Sequence, residues 1–169
     1  MFCKWQKTVV LCFIGSLLMC VYCFSAELSI VDTTGTVYSG AGLLRQVVLS
    51  VSSTEKVSAM QFDIEYSPLL MEISGINLGE SAITAQKQLS YNKIQPGKVK
   101  VIIAGLNQNI IPSGVVANVQ WTICLSALPE QTEIKISNPV LSTPQGTQVS
   151  AFTNNGTLTV LRDSYHTAD

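Results

Sequence analysis

The chain has 169 residues, 47% of them apolar and 12% charged, with a formal charge of -1. That length suits one domain of ordinary size, and the apolar share is enough to bury a core, which excludes a disordered chain. The near-neutral charge removes the electrostatic basis for binding nucleic acid or an anionic membrane surface.

The first segment has the layout of a secretory signal peptide. Lys4 and Lys7 form a short basic region, an uncharged apolar run follows from Thr8 to Phe24, and the small residues Ser25 and Ala26 are placed for cleavage. Residues 1–26 are therefore assigned to the leader. The alternative is retention as an N-terminal anchor, the one case in which the protein would touch a membrane. Met19 before Cys20 speaks against a lipid anchor. Four of the five cysteines (Cys3, Cys12, Cys20 and Cys23) lie in the leader, so Cys124 alone remains and no internal disulfide can form. From Glu27 onward eight basic residues face eleven acidic ones, a mildly acidic exported domain whose core must carry its stability.

From residue 27 the pattern has period two, punctuated by turns. "ELSIVD" alternates, and "GTVYSGAG" is rich in turn residues. "LLRQVVLSVSS" puts Val47, Leu49 and Val51 on one face. In "VSAMQFDIEYSP", Met60, Phe62, Ile64 and Tyr66 alternate with Ala59, Gln61, Asp63 and Glu65, the mark of a half-buried strand. Pro68 ends it. "LLMEISGINLG" reads as the next strand, and "ESAITAQKQ" is the one place for a short helix. "KQLSYNKI" and "KVKVIIAGL" are strands joined by the tight turn "QPG".

The stretch "GLNQNIIPSG" leads into the best strand. Ile110 and Ile111 are expected to cap one end of the core, Pro112 to stop pairing, and Gly114 to supply a free backbone conformation. In the strand that follows, Val115, Ala117, Val119, Trp121, Ile123 and Leu125 are in phase. "EIKISNPVLS" and "QVSAF" read as shorter strands, and "TNNGT" carries the Asn-Gly hairpin signal before "LTVL". Residues 27–161 thus form one domain, and residues 162–169 a polar tail. Many short strands without a convincing amphipathic helix indicate an all-β, antiparallel β-sandwich or jelly roll.

"VSAMQFDIEYSPLLMEI" and the later "IIPSGVVANVQWTI" together resemble the cohesin domain, over roughly Leu28 to Leu161. The second stretch is similar to stand-alone bacterial cohesin-like proteins. The resemblance implies a nine-stranded jelly-roll sandwich, related in fold to some carbohydrate-binding modules. It also implies a dockerin-like protein partner in assemblies that break down polysaccharide. Two departures stand out. Ser67 occupies the Asp of the family's Tyr-Asp-Pro, and Ala59 and Gln61 occupy the positions where other cohesins use an Asn and an Asp to hold dockerin.

Catalytic chemistry finds little material. His166, the only histidine, sits in the tail, where no nucleophile can be positioned beside it. Cys124 has no second thiol or ordered histidine for zinc and reads as a small packed thiol. Asp63 and Glu65 read as a solvated strand face rather than a glycosidase pair. Asn155 matches a glycosylation acceptor but is better read as a turn. No calcium loop, phosphate loop or other cofactor motif occurs. The reading is a non-enzymatic, exported docking module without cofactor, using Ala59, Gln61, Asp63 and Glu65 as its partner face. The alternative is a carbohydrate-binding module, for which Tyr38 and Tyr91 are the candidate exposed rings.

Overall fold

The computed structural model describes residues 26–31 and 35–162. The expected leader up to Ser25, with its four cysteines, and the tail from residue 163, with His166, lie outside the described residues. In chain order the elements are β1 (Ala26–Val31), β2 (Thr36–Tyr38), β3 (Gly42–Val51), β4 (Ala59–Glu65), β5 (Met71–Leu78), α1 (Glu80–Thr84) and β6 (Gln88–Gln95). Then follow β7 (Lys98–Ala104), β8 (Gly114–Ile123), β9 (Glu130–Ser142), β10 (Gln148–Val149), β11 (Ala151–Asn154) and β12 (Gly156–Leu161).

Two sheets make a sandwich. One runs β11-β1-β3-β8-β5; the other runs β2-β12-β9-β4-β7-β6, with β10 on β9. Alternation fills the space between them. Leu28, Leu49, Val119 and Trp121 come from the first sheet, and Phe62, Ile64, Ile103 and Leu158 from the second; all are buried. The all-β sandwich expected from period two is therefore present, but its details differ. Twelve strands occur among the described residues instead of nine. Both sheets are mixed, because β1 pairs parallel with β11 and β2 parallel with β12.

Three local expectations are overturned. β9 has 13 residues and is the longest described strand, not a short one. The Asn155-Gly156 hairpin does not form. β11 pairs with β1 in the first sheet and β12 with β9 in the second, so the chain changes sheets there. Neither residue takes the positive φ such a turn requires. The Asn155 side chain is instead held by β9: its Oδ1 accepts the Ile136 N–H at 3.2 Å and its Nδ2 donates to Glu133 at 2.9 Å. Leu125 is exposed rather than in phase, because β8 ends at Ile123 and the Cys124 N–H turns aside to Leu70 O.

The long loop before β8 is fastened from below. Ile111 is fully buried and donates its N–H to Val57 O, whereas Ile110 points outward, so one of the two expected caps is real. The Lys87 ammonium is buried and donates to Ser58 Oγ at 3.1 Å, Asn107 O at 3.2 Å and Asn107 Oδ1 at 2.7 Å. Burial without a carboxylate partner holds its pKa below the ordinary lysine value. Gly114, at φ +139, makes the turn into β8 as expected.

Lys87→Ala leaves Ser58 and Asn107 without that donor and is expected to lower stability by about 1–3 kcal/mol, read from the urea midpoint. At Gly97 (φ +76) an added Cβ would lie 2.5 Å from Tyr66 O, while at Gly146 (φ +80) it meets nothing. Both alanine variants therefore carry backbone strain, but Gly97→Ala adds a clash. It is expected to cost about 1–3 kcal/mol more than Gly146→Ala in the same denaturation assay.

Candidate docking face

β4 lies between β9 and β7, so its polar side is the middle of a broad sheet face. Alternation sends Met60, Phe62 and Ile64 into the core and Ala59, Gln61, Asp63 and Glu65 to the outer side. The register then sets the neighbours. Gln61 stands between Ile102 of β7 and Val140 of β9. Asp63 stands between Lys100 and Ser137, and Glu65 between Lys98 and Lys135. The four residues singled out from the sequence do share one face, but they do not share one environment.

Asp63 is the main correction. It was expected on a solvated face, and only 2% of it is exposed. Lys100 Nζ lies 2.9 Å from its Oδ1, and Lys98 Nζ lies 3.2 Å from its Oδ2. Asn138 Nδ2 donates to the same Oδ2 at 2.9 Å. The β4–β9 register slips between Gln61 and Asp63, and Asn138 takes φ 50 at that point. Such a bulge re-aims a side chain, and here it turns the Asn138 amide onto the carboxylate. Glu65 is half-buried. It accepts from Lys98 at 2.8 Å and from the Ser137 hydroxyl at 2.6 Å.

Both carboxyls sit below their ordinary pKa values. Burial pushes Asp63 upward, but the hydrogen bond from Asn138 and the two lysines outweighs it. For Glu65 the Lys98 bond is the largest cause, followed by Ser137. The result is a set of charges that neutralise one another within the sheet face. Beside it lies an apolar strip that sequence reasoning missed: Ile102 and Val140 are exposed around half-buried Gln61, and Leu106 projects fully from the end of β7. The signal for Ile102 was present, since it is out of phase with the buried Val101 and Ile103. Val140 follows the bulge and could not be phased from the sequence.

The two candidate sugar-contact rings are both exposed, Tyr38 at 52% and Tyr91 at 44%, but they are not brought together. They occupy opposite ends of the second sheet, with four strands between them. They also face opposite ways, because Tyr91 pairs with buried Val101 and Tyr38 with exposed Leu161. Cys124 is partly buried against the core. No group of three or more metal-ligating side chains occurs among the described residues.

The family model for the cohesin domain matches residues 27–160. The chain belongs to the cohesin family. Among solved structures it is similar to the sixth cohesin of scaffoldin B from Acetivibrio cellulolyticus, solved in complex with a Cel5 dockerin mutant. The identity is 26%, the match covers 82% of this chain and 99% of that one, and the TM-score is 0.67. A non-cellulosomal cohesin from the archaeon Archaeoglobus fulgidus is 18% identical over 81% of this chain and 91% of that one, with a TM-score of 0.66. The cohesin of a type I cohesin–dockerin complex from Clostridium thermocellum, Coh-OlpA with Doc918, is 15% identical over 81% and 99%, with a TM-score of 0.70. No curated protein matches the sequence. The sandwich of this cohesin domain is thus the jelly roll of its family, reached with a β4 face of its own composition.

The depressed carboxyls make stability depend on pH in a definite sense. Their contribution is complete above the ordinary values of 3.8 and 4.5 and is lost as pH falls through the lower folded-state values. The cohesin domain should therefore lose stability steadily on acidification below about pH 4. The double variant Asp63→Asn with Glu65→Gln should be less stable at neutral pH and show a shallower acid dependence, measured by denaturant unfolding at stepped pH.

Proposed function

We propose that this cohesin domain is a non-catalytic docking module that binds a dockerin-type protein on the outer face of β9, β4, β7 and β6. One observation carries the reading. The face combines exposed Ile102, Val140 and Leu106 with charges that are already paired within the sheet. Removing water from a paired charge costs less than stranding a lone one, so a partner can cover this face without leaving an ion unsatisfied. Gln61, half-buried between the two apolar side chains, supplies a donor and an acceptor at the centre. Asp63 acts here as an internal support for Lys98 and Lys100 rather than as a contact, while Ala59, Gln61 and Glu65 remain at the surface.

The similar cohesins solved with dockerins support the partner class. The Lys4–Lys7 region, the apolar run and Ser25-Ala26 support export, which places the docking outside the cell or on its surface. A setting in polysaccharide breakdown rests on the scaffoldin cohesin and on a similar cohesin module of a Clostridium perfringens glycoside hydrolase.

The test is affinity capture from the source organism's secreted proteins, followed by titration of the captured partner. Gln61→Arg and Ile102→Asp should each weaken binding at least about tenfold, while Tyr38→Ala leaves it unchanged. Partner binding that ignores both face variants would place the interface elsewhere. Retention on insoluble polysaccharide that is lost on Tyr38→Ala or Tyr91→Ala would favour direct sugar binding through those rings. N-terminal sequencing of the mature protein should read from Ala26 or Glu27.

A further inference from the structure

The two sheets each end in an uncovered strand on the same flank, β5 in the first and β6 in the second. A groove of about 450 Å³ runs between them, away from the outer face of β4. Tyr66 and Met71 line it from the core side, Pro68 and the turn between β6 and β7 close its end, and Glu72, Lys93 and Gln95 supply its polar groups. Tyr66 is half-buried and held edge-to-face against Trp121, with ring centroids 5.0 Å apart. Its ring is therefore a rigid part of the wall. Lys93 donates to Glu72 across the groove, from the edge of one sheet to the edge of the other. Tyr91 lies two residues from Lys93 on the same side of β6, an exposed ring beyond the lining of the groove.

The polar set selects among ligands. A carboxylate only accepts hydrogen bonds, an ammonium only donates, and the Gln95 amide does both. Each hydroxyl of a sugar both donates and accepts, so two neighbouring hydroxyls can accept from Lys93 and donate to Glu72 together. The C–H face of a pyranose ring is apolar and suits the tyrosine and proline wall. A proline-rich peptide would meet the same wall but brings carbonyl acceptors and no proline N–H, so it offers Glu72 no donor in exchange for Lys93. The Glu72–Lys93 pair is exposed on both sides, and such pairs hold little net energy, so a ligand can separate its ends cheaply.

We propose that the groove between β5 and β6 is a glycan-binding subsite that takes a neutral pyranose unit through a pair of adjacent hydroxyls. The subsite is separate from the docking face. A partner protein and a glycan could then occupy the domain at once.

The experiment is a two-dimensional amide NMR titration of the protein with cellohexaose, xylohexaose and mannohexaose in turn, and with decaproline as the competing occupant. At least one sugar should produce saturable shifts at Tyr66, Glu72, Lys93 and Gln95, with a Kd near or below about 1 mM. Glu72→Ala and Lys93→Ala, both at exposed positions, should each weaken it at least about tenfold. Ile102→Asp should leave the sugar titration unchanged, which separates this site from the docking face. The proposal fails if none of the three sugars shifts these amides by about 10 mM. It fails equally if the shifts survive undiminished in both variants, or if only decaproline fills the groove.

Discussion

The edge-to-face contact between Tyr66 and Trp121 is the joint on which the rest of the structure turns. Trp121 sits on β8, the strand next to the edge of the first sheet, between Leu43 of β3 and Ile73 of β5. Tyr66 is the first residue past β4 in the second sheet, and its N–H binds Gly97 O at the tip of the β6–β7 hairpin. The ring pair bridges the two sheets, and the backbone of the same tyrosine ties down the tip of that hairpin. The hairpin places Lys98 beside Asp63 and Glu65, and it closes one end of the groove below Lys93. The proposed docking face and the groove both adjoin this hairpin.

On the outer face of β4 the physics differs from that of a solvated β surface. Isolated surface ion pairs contribute little because water competes for both partners. Here the central carboxylate has lost its water, and two ammonium groups and one amide replace it. Such a cluster resists rearrangement, because removing one of its donors leaves the buried Asp63 carboxylate less well compensated. Its rigidity presents Gln61, Ile102 and Val140 as a fixed surface, and a pre-organised surface loses less entropy on binding.

The loops obey the same requirement for satisfied polar groups. The segment between β7 and β8 has few apolar anchors, with Ile111 as its one fully buried plug. Its remaining order comes from side-chain amides. Asn107 and Asn109 reach back to the carbonyls of Gln86 and Ala85, and Lys87 crosses beneath to Asn107 and Ser58. A buried ammonium with neutral partners is an expensive choice, and it is tolerable here because each of its three contacts accepts a hydrogen bond.

The sequence by itself determined which residues alternate, and so where most of the strands run and which of their faces is apolar. Period two is a local property of the extended backbone, and it placed Phe62, Ile64, Val119 and Trp121 inside without any knowledge of neighbours. It also put Ala59, Gln61, Asp63 and Glu65 on one common side. Only the tertiary structure decided what lies beside each of them. Asp63 is dry because Lys98 and Lys100 arrive from β7 and Asn138 from a bulge 75 residues away. Neither the pairing of β4 nor the bulge leaves a trace in local spacing. In the same way Asn155-Gly156 reads as a hairpin by composition, yet the chain changes sheets there because β11 finds β1 and β12 finds β9. Tyr38 and Tyr91 stand on opposite edges for a like reason: strand order is set by which strands pair across long separations, and the side-chain pattern within a strand does not encode it.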